Sequence, residues 1–370
     1  MAENKQDKSP NVPPLRFPEF IDEWNRGKVG DDCDIYMCKR IFADQTNDLD
    51  GVPFYKIGTI GGDPDAYISQ ELFEQYKRKY NYPKKGEVLI TCAGTVGKAI
   101  VFDGKDAYFQ DSNIVWISNP TSYLSNDFLY YFINRVDWSK LNSTTITRIY
   151  NDDLRKLKIA FPSIDEQKKI TQLFYLLDRR IAMQSKLIEQ LESLMGGIIE
   201  RLTAQSPNVR IADCLECHSS TLQENQLNED GNYRVYGANG VCGYTDSSEI
   251  NGDSILIVKD GSGVGNVSFA TGEYSVIGTS NYLTAKSGHN LRYLYYCLKK
   301  FNFAPYKTGM AIPHIYFKDY GKAKIYCPAH DEQERIANIL SKIERKMVIE
   351  RSITDHYIEQ KQYLLQQLFI

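Results

Sequence analysis

Several short stretches of this chain have the residue types and spacing for chemistry. Cys214-Leu215-Glu216-Cys217-His218 matches the spacing that attaches haem covalently. That attachment needs an oxidising compartment. Met1 to Pro14 is polar and lacks the apolar core of a secretory signal, so the expectation is a cytoplasmic chain whose eight cysteines are reduced. Gly261-Ser262-Gly263-Val264-Gly265 is as glycine-rich as a phosphate cradle. It lacks the Gly-Lys-Ser/Thr ending of a nucleotide loop, so a tight turn between strands is expected. Asn119-Pro120-Thr121 lacks the second proline and the aromatic residue of an adenine-methylating loop. Cys33 and Cys38 lie far from Cys214 and Cys217, and the five histidines show no i, i+4 pairing, so no metal site is expected. The expectation is therefore no catalytic residue and no cofactor.

The elements around these stretches repeat. Pro162-Ser163-Ile164-Asp165-Glu166-Gln167 returns as Pro328-Ala329-His330-Asp331-Glu332-Gln333, an offset of 328 − 162 = 166 residues. The same offset links Gly86-Glu87-Val88-Leu89-Ile90 to Gly252-Asp253-Ser254-Ile255-Leu256, Ile149-Tyr150 to Ile315-Tyr316, and Lys158-Ile159 to Lys324-Ile325. A repeat of this length marks recurring supersecondary units. Each Asp-Glu-Gln motif opens a proline-free stretch with coiled-coil spacing. In the first, apolar residues fall at Ile170, Leu173, Leu177, Ile181, Ile188, Leu191, Met195, Ile198 and Leu202; in the second, at Ile336, Leu340, Ile343, Met347, Ile353, Tyr357, Leu364 and Leu368. Each stretch predicts a helix roughly 55–60 Å long, and each helix needs a partner for its stripe. The obvious partner is the other copy. Ser163 with Glu166 predicts a capping box at the first helix start. Ile188-Glu189-Gln190 matches Ile358-Glu359-Gln360 at an offset of 170, which predicts four extra residues inside the second helix.

The segments before each helix mix short β-like runs with glycine and proline turns. The fold class is thus α+β: two α/β domains separated by two long helices packed as an antiparallel coiled coil, with a pseudo-two-fold repeat. The expected divisions are a disordered extension at 1–13, a first domain at 14–162, a central helix at 163–204, a second domain at 205–328 and a C-terminal helix at 329–370. No apolar run is long enough for a membrane span.

This order, together with Arg16-Phe17-Pro18 near the start, resembles the specificity subunit of type I restriction–modification systems. The resemblance covers nearly the whole chain. It implies a non-catalytic subunit with two target-recognition domains, each reading one half of an asymmetric bipartite target in double-stranded DNA. It also implies that the helices fix the spacing and dock methyltransferase subunits, with nuclease–translocase subunits joining in the full complex. Two other classes compete: a methyltransferase or nuclease fused to such domains, and a coiled-coil scaffold with no role on DNA. The missing catalytic motifs count against the first, and the divergence of the domains on repeated helices counts against the second.

The net charge of −3 does not favour a nucleic-acid binder, so DNA contact must come from local basic faces. In the first domain the candidates are Lys77, Arg78, Lys79, Lys98 and Arg148, with Lys84-Lys85 nearby; in the second they are Lys307, His314 and Lys318, with Lys299-Lys300. Lys98 follows a glycine turn and Arg148 lies in the recurring segment, so both are placed for phosphate. Lys77-Arg78-Lys79 and Lys299-Lys300 also fit a solvated helix face. Gln167 and Gln333, at the junctions between domain and helix, are the candidates for docking partner subunits.

Overall fold

The computed structural model describes residues 11–141, 148–309 and 312–370. Two compact units emerge: residues 1–183 with 354–370, and residues 184–353.

In the first unit, glycine and proline turns cut the β-branched runs into short strands. Asp34–Met37, Ile114–Ser118, Val88–Thr91 and Ala99–Val101 form an antiparallel four-stranded sheet in that spatial order. A smaller sheet joins Tyr67–Ile68, Val52–Tyr55 and Tyr108–Phe109. The helices are α1 (Val29–Asp32), α2 (Gln70–Lys79), α3 (Asn126–Arg135), α4 (Asn151–Lys156) and the long α5 (Ile164–Thr203), whose first half belongs here. Ser69 and Ser125 cap α2 and α3 by accepting from the backbone N–H three residues on.

The second unit rebuilds the same plan. Leu215–Ser219, Ser280–Ala285, Ser254–Val258 and Val267–Ala270 form its four-stranded antiparallel sheet. A second sheet orders Gly240–Thr245, Tyr233–Gly237, Glu273–Val276 and Ile250–Asn251. Its helices are α6 (Ile211–Cys214), α7 (Leu291–Lys299), α8 (Phe317–Tyr320) and the long α9 (His330–Gln367), whose last residues return to the first unit.

The long helices run antiparallel within each unit. In the first, Phe174 packs on Phe369, Asp178 pairs with Lys361 at 2.5 Å, and Arg180 lies over Tyr357, so α9 numbers fall as α5 numbers rise. In the second, Gln184 bonds to Glu350, and Ile199 shares a core with Ile336 and Leu340. Buried positions on α9 step by seven, three and four through Leu340, Met347, Glu350 and Thr354, which is coiled-coil spacing. The apolar stripe read from the sequence omitted Phe174, Gln184 and Ile199, all buried.

Two local expectations are corrected. Helix α9 has 38 residues and α5 has 40, so α9 carries no four-residue insertion. Core positions keep the 166-residue offset at both ends, Ile170 with Ile336 and Ile199 with Leu365. Residues 11–13 are held in place, because Trp24 N–H donates to the Asn11 carbonyl at 2.9 Å and Pro13 is buried. The expectation of disorder for residues 1–10 lies outside the described residues.

A strap at the start of the first unit explains Arg16-Phe17-Pro18. The Arg16 guanidinium donates twice to Glu166, each bond 2.7 Å, and Trp24 Nε1–H donates to the same carboxylate at 3.3 Å. Glu166 is 1% exposed. Its oxygens serve this strap rather than the capping box expected with Ser163. The carboxylate in turn holds the Arg16 guanidinium above its ordinary pKa. Glu332, the repeat equivalent, faces solvent and pairs with Arg335.

Candidate nucleic-acid interface

One edge of the first unit gathers four loops. Ile149 N–H donates to the Cys92 carbonyl at 2.9 Å, and Cys92 N–H donates to Asn113 at 2.7 Å. Lys98 Nζ donates to the Ile60 carbonyl at 2.5 Å, and Arg148 Nη2 donates to the Ser112 carbonyl at 3.1 Å. Lys98 and Arg148, 50 residues apart (148 − 98), thus reach one loop cluster. The turn carrying Lys98 needs glycine: Gly97 has φ +82°, and a Cβ there would lie 2.0 Å from Trp138. Ser112 has φ +51°, sparsely populated for a non-glycine residue. Tyr150 stands beside Arg148, ring to guanidinium 5.9 Å, and is 60% exposed.

The basic run at the end of α2 is divided. Lys77 pairs with Asp106 at 2.8 Å and lies over the rings of Phe73 and Tyr82, so it serves the unit's own packing. Arg78 projects into solvent beside Glu74, which supports the solvated-face reading for this residue. Lys79 lies over Tyr80, as does Lys39 from another strand end. Lys39, Arg40, Phe42, Tyr80, Asn81 and Asp111 line a groove, in which Arg40 pairs with Asp111 at 2.8 Å. The sequence reading missed Lys39 and Arg40; the signal available was the pair itself, following Cys38.

The second unit assembles its counterpart. Ile315 N–H donates to the Lys259 carbonyl at 2.9 Å, as Ile149 does to Cys92. Thr308 and His314 exchange backbone hydrogen bonds of 2.9 and 2.8 Å. This brings Lys307 close to His314. His314 packs edge-on against Tyr316 at 5.0 Å, and Lys318 lies over the same ring at 5.1 Å. Tyr316 is 47% exposed. His314 and Lys318 therefore meet at Tyr316, and Lys307 adjoins His314 through the backbone pairing of Thr308. Gly265, φ +90°, rests against Phe303 as Gly97 rests on Trp138. Lys259, which takes the place of Cys92 ahead of the glycine loop, was missed because its repeat equivalent carries no charge. Lys299 is not part of this cluster: it pairs with Glu344 of α9 at 3.6 Å.

Gln167 and Gln333 belong to the junctions themselves. Gln167 is fully buried; its oxygen accepts from Ser125 N–H at 2.8 Å, and its amide donates to Tyr123 and Pro162 carbonyls at 2.7 and 2.9 Å. Gln333 is 2% exposed, accepts from Asn290 N–H at 2.9 Å and donates to Pro328 at 2.8 Å. Each glutamine ties the N-cap of α3 or α7 to the start of a long helix. Neither offers surface to a partner, which corrects the docking expectation for these side chains.

The Cys214-x-x-Cys217-His218 spacing does not form a unit. His218 bonds to Thr284 at 3.0 Å and stacks on Tyr282. Cys214 instead lies with His289 and Cys327, their ligand atoms all within 4.8 Å of one another. A hydrogen bond from the Cys214 thiol, with His289 adjacent, pulls the Cys327 thiol below its ordinary pKa and drives Cys214 upward. Cys33, Cys38, Cys92 and Cys297 are buried thiols, each pushed up to about 12, chiefly by desolvation.

Among the described residues no helix is long and apolar enough to cross a membrane. The family model for the type I restriction modification DNA specificity domain matches residues 21–193 and again 207–356. A putative type I restriction enzyme specificity subunit of Haemophilus influenzae is 47% identical over 172 residues, 46% of this chain and 44% of that protein. The match thus spans less than half the length of that relative. The EcoprrI specificity subunit of Escherichia coli is 21% identical over 302 residues, 73% of each chain. In fold, the type I restriction–modification S subunit from M. genitalium superposes with TM-score 0.71 at 18% identity, covering 97% of this chain and 99% of that one. The chain belongs to the type I restriction–modification DNA specificity family and carries the specificity domain twice.

Proposed function

We propose that the chain is the sequence-reading, non-catalytic subunit of a type I restriction–modification complex, with each unit reading one half of an asymmetric bipartite DNA target. The observation that carries this reading is the duplicated loop cluster. Both units hold a glycine turn against an aromatic ring, a lysine at one end of that turn (Lys98 after it, Lys259 before it), and an exposed tyrosine beside a basic residue. The clusters share a frame and differ in their side chains, as expected of two readers with different half-sites. Lys98, Arg148 and Lys79 in the first unit, and Lys259, Lys307, His314 and Lys318 in the second, are assigned to phosphate and base-edge contact. Lys77 and Arg78 are assigned to packing and solvent.

The long helices are assigned to spacing and to docking of methyltransferase subunits, with nuclease–translocase subunits joining them. Exposed apolar side chains on these helices supply the surface: Tyr175, Leu176 and Met183 in the first unit, Ile339, Val348 and Ile349 in the second. The chain alone should bind DNA weakly, because its net charge is negative and the counterion-release contribution is correspondingly small. The test is methylated-base sequencing of cells carrying the chain with its methyltransferase. A two-part asymmetric motif supports the reading; a single continuous motif, or methylation independent of this chain, overturns it.

A further inference from the structure

We propose that Cys214, His289 and Cys327 hold one Zn²⁺ ion that clamps the second unit onto the start of α9. Three segments distant in sequence supply the ligands: Cys214 ends α6, His289 precedes the N-cap of α7, and Cys327 follows the strand Lys324–Ile325 that leads into α9. Their sulfur and ring-nitrogen atoms lie within 4.8 Å of one another. Tetrahedral zinc, with bonds of about 2.3 Å to sulfur and about 2.0–2.1 Å to nitrogen, sets those atoms about 3.5 Å apart. Cys327 Sγ and His289 Nδ1 are 3.5 Å apart. Two thiolates and an imidazole are the soft and borderline donors that select zinc over magnesium or calcium. Both cysteines are buried, and His289 is half-buried.

The first unit shows what this corner does. There the corresponding positions are Asp32, at the end of α1, and Phe161, 166 residues before Cys327 (327 − 161). Tyr123, beside the N-cap of α3, stacks on Phe161 at 5.7 Å and donates its hydroxyl hydrogen to Asp32. The first unit closes the corner with an aromatic stack and a hydrogen bond. Among the described residues the second unit has no such stack; it places three metal-ligating side chains in that position. Asn208 brackets the Cys327 backbone with two 2.8 Å hydrogen bonds, fixing one ligand in advance. Gln333 ties Asn290, the neighbour of His289, to Pro328, the neighbour of Cys327. The ion therefore braces the junction that Gln333 already spans.

The full chain, expressed in zinc-supplemented medium and purified without a metal-affinity step, should carry about one zinc per chain. Replacing zinc by cobalt should give thiolate-to-cobalt charge-transfer absorption with intense tetrahedral d–d bands. Cys327→Ser and His289→Ala should lose the metal, whereas Cys217→Ser and Cys242→Ser should keep it. A chelator should lower the melting temperature of the parent chain and leave Cys327→Ser unchanged. Zinc content at the buffer blank, a cobalt spectrum without thiolate bands, or a Cys214–Cys327 disulfide in the freshly purified chain would each overturn the proposal. The parent-chain spectrum decides the matter even if the variants fail to fold.

Discussion

Gln184 and Glu350 are repeat equivalents, 166 residues apart (350 − 184), and they hydrogen-bond to each other. In the long helix pair, repeat equivalence and contact coincide at this position. Both side chains are buried, and Glu350 also pairs with Lys346 on its own helix. The middle of the seam is thus polar, an arrangement that fixes register and orientation at a cost in stability.

This pair gives the first prediction. Gln184→Leu removes a partner from a buried carboxylate and should destabilise the chain by about 2–4 kcal/mol in urea unfolding. Gln184→Leu with Glu350→Leu should recover that loss or exceed the parent. Equal stability of the single variant and the parent would show that the contact does not matter.

The strap gives the second. Arg16 reaches Glu166 through two parallel hydrogen bonds, and Trp24 adds a third. Removing Arg16 leaves a nearly buried carboxylate with one weak donor. Arg16→Ala should cost about 3 kcal/mol in the same assay. Arg16→Lys should restore little, because an ammonium cannot make the bidentate contact. Full rescue by lysine would show that charge alone holds the strap.

The repeat, the helix starts and the α+β class were all legible in the sequence, because period and spacing survive without knowledge of contacts. The glycine turns were legible as turns for the same reason. The roles of Glu166, Gln167 and Gln333 were not. Each looks like a helix-start residue locally, and its true partners lie up to 150 residues away, as Arg16 does from Glu166. The pairing of Cys214 with Cys327 was hidden behind a nearer cysteine and histidine at a familiar spacing. Among the cations, chain proximity misled: Lys77, Arg78 and Lys79 adjoin in sequence yet point to three different surroundings.

The loop clusters give the third prediction, made for the complex assembled with methyltransferase. Lys98→Ala and Lys259→Ala should each weaken binding about equally on all DNA sequences. Each should lower the salt slope by about one. Arg78→Ala, which removes a solvated side chain beside Glu74, should change neither. Filter binding over a salt series decides this, and a slope change for Arg78 alone would relocate the interface.

The last prediction separates spacing from reading. The long helices carry both units on continuous backbone, Ile164–Thr203 and His330–Gln367. Inserting four residues into each helix, beside Gln184 and beside Glu350, adds about one turn, near 6 Å, to each. At about 3.4 Å per base pair, the unread gap of the methylated motif should lengthen by about one or two base pairs. Four residues are slightly more than one turn, so the apolar stripe nearly keeps its face. The bases of both half-sites should stay the same, since no loop cluster is touched. Exchanging residues 209–327 for the matching segment of another such chain should do the converse: one half-site changes and the gap holds. Methylation maps of cells carrying each variant report both outcomes at once. A helix insertion that alters the recognised bases, or an exchange that alters both halves, would show that spacing and reading are not carried by separate parts of the chain.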